Sequence, residues 1–153
     1  MELLGDIEGL AFVRLLKASF LAYPVVNAIH IAAIGGLFTS VLLMDVSVLG
    51  GVRTVPREKL VRLMRRVAFL AFAISLPSGL ALFSVRATHY AGNPAFLVKL
   101  GLIGLAVLNF LAFAALARKG YDDEPSLAAK LCAVVSILLW SGVLLAGRFI
   151  GFI

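Results

Sequence analysis

The chain has 153 residues, 62% of them hydrophobic and 14% charged, with a formal net charge of +6. A soluble domain is about 45–50% apolar by residue count, so this excess puts apolar surface around most helices and makes lipid the expected solvent. The length suits one domain, and the basic residues gather at the ends of apolar runs, a positive-inside pattern that argues against nucleic acid as partner.

Residues 1–22 read as one short interfacial helix of mixed character, acidic at its start (Glu2, Asp6, Glu8) and basic later (Arg14, Lys17). The same charges interrupt any signal-peptide pattern, so no cleavable leader is expected. Tyr23 precedes a proline and is the expected boundary, with Pro24 in the first turn of the next helix.

The fold class expected is all-α: a four-helix transmembrane bundle in a single integral membrane domain. Its spans are about 25–44, 67–85, 97–117 and 131–148. The first, Val25–Met44, holds twenty residues without formal charge, and about 20 residues at ~1.5 Å each cross a bilayer. Gly50-Gly51 turns the chain, and Pro56 opens the second helix. Pro77 lies inside that helix and should kink it. A short polar crossing, 88–94, leads to the third helix. The stretch 118–125 reads as a solvent loop before the fourth.

Four spans place both termini on one side. The two loops on the other side carry Arg53, Arg57, Lys59, Arg62, Arg65, Arg66, Arg118, Lys119 and Lys130. The terminal side carries Arg14, Lys17, Arg86, Lys99 and Arg148. Nine against five orients the loops to the cytoplasm and both termini to the periplasm of a bacterial inner membrane.

Ionisable residues inside a span are costly and mark functional sites. His30 lies five residues past Val25, about 8 Å inside the outer boundary. Asn27 is nearly one turn away on the same face. Arg86, Lys99 and Arg148 fall near the same boundary, so His30, Asn27, Arg86, Lys99 and Arg148 form the candidate cofactor-binding set. His30 is also the residue a metal would take. The alternative for His30 is an imidazole hydrogen-bonded to a neighbouring helix, and for the cations it is contact with lipid headgroups.

Two histidines invite a bis-histidine haem b. Helical rise places His30 about 22 Å from the Asp45 end and His89 about 34 Å from the Arg66 end, roughly 12 Å apart in height. Axial ligands of one haem need comparable depth, so His89 reads as an exposed interfacial residue. Asp45 is expected to pair with Arg65 or Arg66 and pin the first two spans together. Asn109 and Trp140 read as helix–helix contacts, and Cys132 as a buried, inert thiol. Zinc, phosphate-loop and nucleophile-elbow motifs are absent, so nothing argues for hydrolytic catalysis.

The segment IHIAAIGG around His30, Asp45 with Leu49-Gly50, the turn Asn93-Pro94-Ala95-Phe96 followed by Lys99, and Gly147-Arg148 together form a pattern. It resembles a family of small, uncharacterised bacterial four-helix inner-membrane proteins. The resemblance implies the fold and no activity. Members often carry an arginine shortly after the aspartate, where Val46 and Ser47 stand here. The layout is also loosely similar to copper-resistance membrane proteins and b-type cytochromes, as analogy of fold.

Two readings follow. In the first the protein is a non-catalytic membrane subunit, in contact with the lipid bilayer and with other membrane or periplasmic subunits of a larger complex. In the second it is a redox or ligand-binding protein that holds haem b, quinone or a metal near His30.

Overall fold

The computed structural model describes residues 2–52, 54–117 and 125–152. Arg53, Arg118 and Lys119 of the charge count lie outside the described residues, as does most of the expected solvent loop. The elements are α1 (Glu2–Gly9), α2 (Ala11–Ala18), α3 (Ala22–Val48), α4 (Arg57–Val85), α5 (Ala87–Ala91), α6 (Pro94–Ala117) and α7 (Leu127–Phe149). Four of them, α3, α4, α6 and α7, are long and apolar enough to cross a membrane. The chain is a multi-pass membrane protein with an all-α fold.

The N-terminal region departs from the expected single helix. It breaks at Leu10, whose extended ψ of 141° separates α1 from α2. Val13 and Leu16 of α2 are buried against the bundle, while Phe12, Leu15 and Phe20 are exposed. Glu8 of α1 ties this region to α5. Its Oε1 accepts from the Thr88 backbone N–H at 3.0 Å and the Thr88 hydroxyl at 2.7 Å. Lys17 adds an ion pair at 3.4 Å. The Thr88 N–H, then its hydroxyl, hold the Glu8 carboxyl down at about 2 from an ordinary value of 4.5. A carboxylate depressed by folding stabilises the folded state fully above its unfolded value. That contribution is lost as pH falls from 4.5 through about 2. Spin labels at Gly5 and His89 should therefore separate across this acid range, and Glu8→Ala should separate them at neutral pH. An unchanged distance in both cases would exclude the latch.

The span helices run past their apolar cores to proper caps. Pro24 is the third residue of α3, where its missing N–H breaks no helical bond. The other end closes in a Schellman motif: the Gly50 N–H donates to Ser47 O at 3.2 Å and the Gly51 N–H to Val46 O at 2.9 Å. Gly50 has φ +85°, the left-handed region that suits glycine. A Cβ on Gly51 would lie 2.6 Å from Val46 Cγ1. Asn93 caps α6, accepting from the Phe96 N–H at 3.1 Å, with Pro94 at the first position. The expected polar crossing contains α5, one short helix.

Helix α3 packs on α4 and on α7, and α7 packs on α6. The buried positions are mostly small: Ala33, Ser40, Ala68, Ala71, Ser75, Ala133, Ser136 and Ala146. Many leucines, such as Leu70, Leu80, Leu108 and Leu138, are exposed. This distribution suits a bundle in lipid, where apolar bulk gains nothing by burial and small residues let backbones approach. Gly36 illustrates it, with Ala71 Cβ 3.7 Å from where its own Cβ would stand. Between α6 and α7, the Asn109 side-chain amide donates to Cys132 O at 3.0 Å, the helix–helix bond expected of it.

The fourth side of the bundle is different. Among the described residues no Cα of α4 comes within 8 Å of one of α6. Side chains alone bridge this side. Phe83 stacks on Phe96 at 5.2 Å near one end, and Phe69 meets Phe110 edge-on at 5.6 Å near the other. The gap they leave holds the cavities described next.

Candidate functional site

Two cavities lie along the bundle and share Leu37, Phe72 and Trp140 in their walls. The larger, about 500 Å³, is lined by Tyr23, Asn27, His30, Phe83, Tyr90, Phe96 and Lys99 among others. The smaller, about 320 Å³, lies toward the other end and includes Asp45, Asn109 and Ser136. Both volumes fall within or at the lower edge of the ~300–1,000 Å³ of small-molecule sites.

His30 is held from two sides by α4. Its Nδ1 is 3.0 Å from Ser78 Oγ. That hydroxyl has one proton and donates it to Ile74 O at 2.7 Å. Ser78 therefore accepts from His30, which assigns the proton to Nδ1. In the neutral ring the lone pair is then on Nε2, and the His30 side chain lines the large cavity. The ring also rests on Gly79. A Cβ at that position would lie 2.9 Å from His30 Cε1 and 3.5 Å from Nδ1. The neighbour-helix hydrogen bond and the candidate-site reading of His30 thus coexist: the bond occupies one nitrogen and orients the other.

Lys99 reaches the same cavity from α6 and lies along Gly147 of α7. Its Nζ, Cε and Cδ are 3.5, 3.7 and 3.8 Å from the place of a Gly147 Cβ. The cavity therefore carries an acceptor from α3 and a cationic donor from α6. Its aromatic rim is Phe83, Tyr90 and Phe96, with Phe83 and Tyr90 centroids 6.4 Å apart and Tyr90 and Phe96 6.1 Å apart.

Of the expected set, His30, Asn27 and Lys99 come together in this wall. Arg86 and Arg148 are exposed and lie outside it. Arg148 covers the Phe152 ring at 4.8 Å. His89 is exposed and meets Tyr90 edge-on at 5.7 Å, outside both cavity walls. Among the described residues no group of three His, Cys, Asp or Glu side chains is placed to hold a metal ion.

Asp45 is 9% exposed and faces Ser136 of α7, while its Oδ2 has no hydrogen-bond partner. Ion pairs between described residues include Lys17–Glu8 and Arg62–Glu58. Arg65 lines the same cavity as Asp45, but neither Arg65 nor Arg66 forms the expected pair with it. The sequence pattern includes Gly147 but does not show that it seats Lys99, and it contains neither Ser78 nor Gly79, which seat His30. The Ser78-Gly79 pair directly after Pro77 is the local signal that bears on them.

Residues 13–153 match the model of a family described as a Family of unknown function (DUF6644). No curated protein and no solved structure matches the chain.

Proposed function

The chain belongs to this family of unknown function, and we propose that it is a membrane protein that binds a lipid-soluble ring-bearing ligand of the quinone class. The observation that carries this reading is the pairing of His30 Nε2 with Lys99 in one aromatic-lined cavity. A quinol hydroxyl donates to an imidazole lone pair, and a quinone carbonyl accepts from an ammonium, so the two side chains suit both redox forms. The side of the bundle without backbone contact between α4 and α6 faces the bilayer and offers lateral access.

This develops the ligand-binding reading rather than the anchoring one. An anchoring subunit would use the lipid-facing surface of α6, which every spanning helix shares. For haem b, His30 would be the axial imidazole, with Lys99 to receive a propionate. In the orientation proposed from charge, the His30 end opens toward the periplasmic side of the inner membrane.

The test uses the purified protein in detergent and a short-chain quinone. Trp140 is the single tryptophan and lines the cavity wall, so its fluorescence reports binding. Saturable quenching is expected, weakened about tenfold or more in Lys99→Met, as a lost charge-assisted hydrogen bond of ~1.5–3 kcal/mol requires, and about two- to tenfold in His30→Ala, which loses a neutral one of ~0.5–1.5 kcal/mol. Equal quenching in all three proteins would refute the site. A Soret band that disappears in His30→Ala would assign the cavity to haem instead.

A further inference from the structure

We propose that the smaller cavity holds the extended apolar tail of the same ligand whose ring sits beside His30, an inference that rests on the quinone reading. The two spaces lie end to end along the bundle and meet at Leu37, Phe72 and Trp140, which line both. Both also border the side where, among the described residues, α4 and α6 make no backbone contact. Two aromatic pairs bracket that side: Phe83 on Phe96 at one end and Phe69 against Phe110 at the other. Phe69 and Phe83 are fourteen residues apart on α4, and so are Phe96 and Phe110 on α6, about 21 Å of rise on each helix. The antiparallel helices therefore frame a slot of matching length on both edges. Phe83 and Phe96 line the larger cavity, and Phe69 and Phe110 line the smaller. The slot runs from one to the other.

The smaller cavity suits a hydrocarbon chain. Its wall is apolar through Val41, Met44, Val48, Ala68, Ala106 and Leu111. The polar residues in it offer a ligand little. Asn109 spends its amide on Cys132 O, the unpartnered Asp45 oxygen has almost no accessible surface, and Arg65 has an interaction of its own. An empty apolar space forfeits dispersion contacts along its lining, and a flexible chain restores them. A free lipid chain has the same apolar chemistry but no group for His30 and Lys99. A tail joined to a ring held there is delivered to the slot, which makes its entry an intramolecular step.

The probes are a tail-less methylated benzoquinone, the same ring with a decyl tail, and the decyl form with a diazirine at the end of its tail. Trp140 quenching in one detergent gives the ratio of decyl to tail-less affinity, so that partition of the tail into micelles cancels between proteins. Val41→Phe enlarges a side chain of the smaller cavity that does not line the larger one. The ratio should fall about fivefold or more in this variant, while tail-less affinity stays within about twofold. In wild-type protein in phospholipid nanodiscs, the diazirine should label residues of the smaller cavity such as Val41, Met44 and Ala106, and Lys99→Met should reduce that labelling severalfold. This measurement needs no cavity variant, so the proposal stays testable if Val41→Phe fails to fold. An unchanged ratio in Val41→Phe, or labelling confined to exposed residues such as Leu108 and Leu138, would overturn the tail site. Labelling undiminished in Lys99→Met would assign the cavity to any lipid chain and overturn it as well. A tail-less quinone whose binding ignores both His30 and Lys99 would overturn the ring reading and the tail site with it. One that depends on them while the ratio stays unchanged would overturn the tail site alone.

Discussion

Gly79→Ala should weaken binding of a short-chain quinone by about tenfold or more, while Gly147→Ala should leave it within about twofold. The two substitutions add the same methyl group to glycines that face the same cavity. They differ in what that methyl meets. At Gly79 it would stand 2.9 Å from His30 Cε1, closer than carbon atoms pack. The ring cannot simply rotate away, because Ser78 holds its Nδ1. Either the hydrogen bond breaks or α3 and α4 move apart. Overpacking of this kind costs about 1–3 kcal/mol, and each 1.4 kcal/mol is a factor of ten in affinity. At Gly147 the nearest atom is Lys99 Nζ at 3.5 Å, an ordinary contact with the free end of a long side chain. Trp140 quenching measures both variants, and far-UV circular dichroism checks that helix content is unchanged. Equal losses in the two variants would mean that ring seating does not govern the site.

The four spans were legible because length and hydropathy are properties of one segment at a time. Proline and glycine placed the ends well: Pro24, Pro94 and Gly50-Gly51 all sit at helix termini. The apolar cores stopped short of the true ends because helical hydrogen bonding continues past the last apolar residue to a cap. Asp45 shows this. It closes the uncharged run, yet α3 continues for three more residues to the Schellman turn. The break at Leu10 was not foreseen, since the hydrogen bonds that dock Glu8 link positions 80 residues apart.

The site was legible in depth and illegible in direction. Rise per residue gives the height of a side chain in the membrane, so His30, Lys99, Arg86 and Arg148 were all assigned to one level. Rotation about the bundle axis depends on which helices pack together, and no local pattern encodes it. Lys99 turns inward over Gly147, whereas Arg148, its neighbour in height, turns outward onto Phe152. The partner of His30 is Ser78, 48 positions away. Asp45 was given a basic partner from the nearest helix end. Its side chain faces α7 instead, the helix that closes the bundle against α3.

Ser78→Ala should change the histidine itself before it changes anything else. In wild type the hydroxyl proton goes to Ile74 O, so the Ser78 oxygen can only accept, and His30 is held as the Nδ1–H tautomer. Without that acceptor the ring N–H loses its 3.0 Å partner, and the Ser75 backbone is the hydrogen-bonding group of α4 left beside the ring. The ring can answer this loss by moving its proton to Nε2. That exchange converts the nitrogen available to the cavity from acceptor to donor. The quinol form would then lose its hydrogen bond while the quinone form gains a second donor, so the variant should favour oxidised over reduced ligand relative to wild type. Nitrogen-15 spectra of labelled histidine can follow this directly, because the chain holds two histidines and His89 is exposed. The wild-type spectrum should show one ring fixed as Nδ1–H, and Ser78→Ala should lose that signature. Ser78→Thr, which retains the hydroxyl, should restore it. A wild-type ring protonated at Nε2 would reverse the hydrogen bond to Ser78 and remove the acceptor on which the proposed recognition of a quinol depends.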